Sequence, residues 1–110
     1  MIQQIDRRDL YNGSVLGLAL GDALGVASQG LQPGAFETVT EPRGGGAYSL
    51  EPGEWTDETA MAMCLAESLL HKNGLDIEDY RDRMRMWYQE GYWSSRDFCF
   101  GSLVRPFSRL

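Results

Sequence analysis

The sequence reads as an all-α chain. Three segments carry helix-start signals, apolar residues at helical spacing and helix stops, while only residues 36–40 hint at a short extended piece. One long irregular stretch, residues 28–55, separates the first of these segments from the second. At 110 residues, with 43% hydrophobic and 24% charged side chains, the chain has the size and composition of a single globular domain spanning residues 1–110.

The first helix is expected over residues 9–25, with Leu10, Val15, Leu16, Leu18, Leu20 and Leu24 as its apolar residues. Gly13, Gly17, Gly21 and Gly25 recur every fourth residue and so share one stripe. A glycine inside a helix costs about 0.8–1 kcal/mol relative to alanine. Such a row is therefore expected where another element packs closely on bare backbone. A membrane reading of the spacing fails because the apolar run, residues 15–20, is too short to span a bilayer.

Residues 28–55 are punctuated by Pro33-Gly34, Glu41-Pro42, Gly44-Gly45-Gly46 and Pro52-Gly53. A connection this long without regular structure is often functional. Phe36, Tyr48 and Leu50 suggest that it packs down onto the rest. The glycine run lacks the Lys-Ser/Thr of a phosphate-binding loop.

The second helix is expected to start at Thr56-Asp57-Glu58 and run to about residue 72, burying Met61, Cys64, Leu65, Ser68 and Leu69. Asn73-Gly74 stops it. Asp76 caps the third helix, with Glu78 and Asp79 in its first turn, an apolar stripe of Tyr80, Met84, Trp87 and Tyr88, and Gly91 as its end. Residues 92–110 have no clear period.

Charge narrows the function. The net charge is −6 with a pI near 4.6, so nucleic-acid binding through a basic face is excluded as a default. A small anion remains compatible if a metal ion or backbone N–H groups hold it. Cys64 and Cys99 lack pair or metal spacing, His71 is the lone histidine, and the first eight residues lack signal-peptide order. The expectation is a cytoplasmic protein without membrane association.

Two places offer chemistry. Thr56, Asp57 and Glu58 put a hydroxyl and two carboxylates at a helix start, hard oxygen ligands suited to Mg²⁺, Mn²⁺ or Ca²⁺. The plainer reading is a cap with acids favoured by the helix dipole. Asp22 interrupts an otherwise apolar helix and needs either a ligand or backbone N–H partners.

Read together, three blocks resemble a family. Residues 13–25, the Gly53-Glu54-Trp55-Thr56-Asp57-Glu58-Thr59 run, and Gly91-Tyr92-Trp93-Ser94-Ser95 followed by Cys99-Phe100 are similar in order and spacing to the ADP-ribosylglycohydrolases. The resemblance covers about residues 8–100, the N-terminal part of that family's domain. It implies the family's all-helical fold and metal-dependent hydrolysis of ADP-ribose from modified side chains, with Mg²⁺ or Mn²⁺ holding the ribose. It places Thr56, Asp57 and Glu58 as metal ligands, Asp57 and Glu58 as catalytic groups, and Asp22, Gln29, Ser94 and Ser95 around the substrate. Three positions differ from the family pattern. Glu58 replaces an Asp, Gln29 stands where a Glu is common and cannot serve as a base near neutral pH, and a later Asp-x-Asp-Thr motif has no counterpart. The alternative is a non-catalytic helical module keeping a partial metal or nucleotide site. In either case a homo-oligomer is expected to cover the apolar faces, with the tail at residues 92–110 exchanged between chains.

Overall fold

The computed structural model describes residues 4–96. Among them are three α-helices, α1 (Arg7–Gly25), α2 (Asp57–Lys72) and α3 (Ile77–Glu90), with a 3-10 turn (Val26–Ser28) extending the end of α1. No strand forms among the described residues, and residues 36–40 are irregular rather than extended-paired. The one isolated bridge joins Gly45 and Leu50. Most of the tail, with Cys99 and Phe100, lies outside the described residues, as does any exchange of it between chains.

Each helix ends where local chemistry stops it. Asp6 caps α1 by accepting from the Arg8 N–H at 3.1 Å, so the helix begins two residues earlier than periodicity suggested. Asn73 closes α2 in the left-handed conformation, and the Gly74 N–H returns to the Leu69 carbonyl. Asp76 caps α3 through the Asp79 N–H at 3.0 Å, and Gly91 ends it with φ 72°.

The main core lies between α2 and α3. Ala60, Cys64 and Ser68 stand four apart on α2 and are each 1% exposed or less, forming a buried stripe of small side chains. Trp87 of α3 packs on Ala60 and Cys64 and is 2% exposed, with Met61, Tyr80, Met84, Tyr88 and Tyr92 packed around them. Leu69 was expected in this face but stays 40% exposed. A helix pair drawn together over small residues leaves the larger flanking side chains at the edge. The surrounding burial, the largest influence, pushes the Cys64 thiol up to about 11, so it behaves as a core residue.

A second, smaller cluster pins the long loop. Val26 packs on Leu50 and Tyr48, as the apolar loop residues suggested, whereas Phe36 remains partly exposed. The glycine run makes this possible. Gly44 and Gly46 have positive φ, and a Cβ at either would collide with backbone, that of Leu50–Glu51 and of Val26 respectively.

Helix α1 buries only Ala23. Leu10, Val15, Leu16 and Leu20 are all more than half exposed. The expected partner for the glycine stripe is absent among the described residues, because a Cβ at Gly13, Gly17, Gly21 or Gly25 meets nothing within 4 Å. Among the described residues the stripe is open. The run Arg7–Ser28 is also long and apolar enough to cross a membrane by length and composition alone, a wider span than the apolar core at residues 15–20. Its Asp22, however, is engaged with α2.

Candidate functional site

The site is built where the end of α1 meets the start of α2. Thr56, the N-cap of α2, makes no capping bond of its own to the helix. Asp22 takes over that task from across the fold. Its Oδ2 accepts the Thr56 N–H at 2.9 Å, the Thr59 N–H at 3.1 Å and the Thr59 hydroxyl at 2.7 Å. Its Oδ1 accepts the Thr56 hydroxyl at 2.6 Å. Two backbone donors that a helix start leaves unpaired are thus satisfied by a carboxylate thirty-odd residues away in sequence. Of the two readings the sequence left open for Asp22, backbone N–H partners are realised.

Beside this junction lies a cleft of about 480 Å³, lined by Gly17, Leu18, Gly21, Asp22, Gly25, Gln29 and Glu58. Three glycines of the α1 stripe form its floor. Bare helix backbone here lies open to the cleft among the described residues. Gln29 and Glu58 are exposed at its wall.

The acids of α2 crowd one another. Thr56 Oγ1 lies 2.6 Å from both Asp22 Oδ1 and Glu58 Oε2, yet a hydroxyl carries one hydrogen. The Thr56 hydroxyl can therefore donate fully to only one of the two carboxylates at a time. Asp57 is held above the ordinary carboxylate range, first by partial burial and next by the charge of Glu58. A hydroxyl and carboxylates in this state have the chemistry of a hard divalent-cation site. Their number is small: among the described residues no three His, Cys, Asp or Glu side chains form a metal-sized group.

Ser94 and Ser95 do not line the cleft. They belong to the segment that follows α3 and docks behind Trp55. The Ser95 hydroxyl donates to the Trp55 carbonyl at 2.8 Å, and the Trp55 indole N–H donates to the Trp93 carbonyl at 2.9 Å. Arg96 grips Glu54 with contacts of 2.7–3.1 Å and the Ser49 carbonyl at 3.0 Å. This pairing, foremost, holds Glu54 below the ordinary carboxylate range. Glu67 anchors the same segment, accepting from the Tyr92 hydroxyl at 2.6 Å and the Trp93 indole at 2.9 Å, with Arg83 at 2.9 Å.

Sequence reasoning missed Thr59, Glu67 and Arg96. Thr59 had a usable signal, a hydroxyl one turn inside a buried helix face. Glu67 and Arg96 had none, since their partners are distant in sequence.

The ADP-ribosylglycohydrolase family profile matches residues 3–108. An ADP-ribosylarginine hydrolase of Serratia proteamaculans (strain 568) is 41% identical over 100 residues, covering 91% of this chain and 27% of that protein. The ADP-ribosyl-dinitrogen reductase glycohydrolase of Rhodospirillum rubrum is 37% identical over 79 residues, covering 68% and 27%. A solved structure titled ADP-ribosylglycohydrolase-related protein complex superposes with TM-score 0.68 at 55% identity, over 73% of this chain and 28% of that one. The chain thus spans little more than a quarter of the length of each of these three relatives.

Proposed function

The chain belongs to the ADP-ribosylglycohydrolase family, and from that premise we propose that its cleft receives the ADP-ribosyl group of a modified side chain. The family reaction is hydrolysis of the bond between ADP-ribose and that side chain. Water adds across the bond, releasing ADP-ribose and the free side chain. The observation that carries the reading is the convergence of Asp22, Thr56 and Glu58 oxygens at the mouth of a glycine-floored cleft.

Thr56, Asp57 and Glu58 would hold Mg²⁺ or Mn²⁺, since their donor chemistry fits a hard cation. Such an ion supplies Lewis-acid polarisation and a more acidic bound water. The side chains do the rest. Glu58, exposed at the cleft, and Asp57, which takes up a proton more readily than an ordinary carboxylate, are the groups able to accept a proton from attacking water. Gln29 hydrogen-bonds to ligand oxygens without exchanging a proton. The open glycine stripe lets a ribose or pyrophosphate approach the α1 backbone. The name of the Serratia relative points to arginine as the modified side chain.

With few carboxylates at the site, divalent binding is expected to be weak and easily reversed. Calorimetric titration of the 110-residue chain with Mn²⁺, then with ADP-ribose in excess Mn²⁺, tests the reading. Heat of binding in both steps, absent from Asp57→Ala, supports it. Equal binding by wild type and Asp57→Ala shows that the site lies elsewhere.

A second reading, an assembly module without turnover, is favoured by the apolar side chains along α1. Leu10, Val15, Leu16 and Leu20 are 53%, 53%, 69% and 52% exposed. A second copy of the chain is the proposed cover.

A further inference from the structure

The segment after α3 touches the chain at one peptide unit of particular consequence. The Trp55–Thr56 peptide has its carbonyl held by the Ser95 hydroxyl at 2.8 Å and its N–H held by Asp22 Oδ2 at 2.9 Å. A peptide unit is planar, so its C=O and N–H directions are fixed together. Gripping the carbonyl from one side therefore aims the N–H at the carboxylate on the other. It also sets the Cα of Thr56, from which the Thr56 hydroxyl reaches Asp22 Oδ1 and Glu58 Oε2 at 2.6 Å each.

The grip itself is braced. Trp55 is held a second time, by its indole N–H on the Trp93 carbonyl. Trp93 has φ 61°, a conformation a bulky residue adopts only when its surroundings enforce it. Its indole N–H is held in turn by Glu67, whose carboxylate Arg83 and Tyr92 also engage. Arg96 closes the clamp one residue further, on Glu54.

We propose that Ser95 is a positioning residue: through the Trp55 carbonyl it sets the orientation of the Trp55–Thr56 peptide, and so places the Thr56 hydroxyl among the carboxylates. It acts on the site without lining the cleft. The proposal rests on reading Thr56–Glu58 as the cation end of the site, but its first consequence is structural and needs no cation.

The test is amide hydrogen exchange, followed residue by residue in the metal-free 110-residue chain. In Ser95→Ala, protection of the Thr56 and Thr59 amides should fall about fivefold, the equivalent of one ordinary hydrogen bond. The amides of Cys64 and Trp87, in the α2–α3 core, should keep their wild-type rates. Ser95→Thr retains the hydroxyl and should restore protection. The same Ser95→Ala protein should bind Mn²⁺ several-fold more weakly wherever wild type binds it. Unchanged Thr56 and Thr59 exchange in Ser95→Ala overturns the proposal. So does a uniform loss that includes Cys64 and Trp87, since that marks a global stability effect. If wild type binds no Mn²⁺ while the exchange pattern appears as described, the positioning role stands and the cation reading fails.

Discussion

Replacing Asp22 separates its role as an acceptor from its role as a charge. In Asp22→Ala, four hydrogen bonds disappear together, two from backbone N–H groups and two from threonine hydroxyls. Thr56 and Thr59 are 1% and 5% exposed, so water reaches the abandoned donors poorly. Hydrogen bonds to charged groups contribute about 1.5–3 kcal/mol each, but losses within one network overlap. A combined cost of about 3–5 kcal/mol follows, a large share of the ~5–15 kcal/mol that stabilises a whole domain. Asp22→Asn should behave differently. Its amide oxygen can face the three donors now on Oδ2, which turns its NH₂ towards Thr56 Oγ1. The Thr56 hydroxyl then accepts from Asn and donates to Glu58, so its single hydrogen suffices. What remains lost is the attraction of a negative charge to the α2 N-terminus, about 1 kcal/mol. Urea unfolding followed by circular dichroism at pH 7 measures both variants. A cost for Asp22→Ala below about 1 kcal/mol, or an Asp22→Asn as damaged as Asp22→Ala, would refute the network as described.

The acids of α2 give a pH signature. Asp57 is raised by burial and then by Glu58, so its stabilising contribution is present at low pH and is lost as pH rises through its folded-state value. Asp57→Asn should therefore gain stability over wild type as pH is raised through the carboxylate range, with the gap constant by pH 7; thermal melts at several pH values check this, and a wild type that gains on the variant with rising pH contradicts it. Turnover of ADP-ribosyl-arginine by the 110-residue chain with Mn²⁺ should be undetectable or very slow, and Gln29→Glu alone should not restore it; robust release of ADP-ribose by wild type, lost in Asp57→Ala, would show instead that the chain is a competent enzyme. Light scattering at micromolar concentration should give a mass above 12.3 kDa, reduced by Leu16→Glu on the exposed face of α1. A stable wild-type monomer with cooperative unfolding rules out self-association through that face.

The helices were legible because their signals are local. Asp76 caps through a bond spanning three residues, and Asn73 and Gly91 stop helices by their own φ, whereas the Asp6 cap was passed over and α1 was expected to start at residue 9. The stripe Tyr80, Met84, Trp87 and Tyr88 was legible for the same reason, as periodicity within one helix. The use of the glycine stripe was not. Four-residue spacing predicts that something approaches the backbone closely, but packing helix and ligand leave the same pattern in sequence. Among the described residues the space above Gly17, Gly21 and Gly25 is open, a fact the spacing alone does not give. Residues 36–40 misled in a related way. Their composition suits a strand, but no second strand lies alongside among the described residues.

Among the candidate site residues, acceptor capacity divides the labour. A carboxylate offers about four lone-pair sites, and Asp22 already receives four donors, three of them on Oδ2. Asp22 borders the cleft, but its Oδ2 is crowded with three donors and its Oδ1 holds a fourth, so most of its acceptor capacity serves α2 and its main effect on a ligand runs through that helix. It draws the first turn of that helix against the end of α1, and the cleft exists because those two ends are held together. Glu58 has the complementary character. It stands exposed at the cleft, and its Oε2 is shared with a hydroxyl that already serves Asp22. Lengthening this side chain by one methylene relative to Asp keeps a carboxylate within reach of the cleft without disturbing the Asp22–Thr56–Thr59 network behind it. Glu58→Asp should therefore leave unfolding stability nearly unchanged while altering Mn²⁺ affinity, whereas any change at Asp22 that removes acceptors must disturb both.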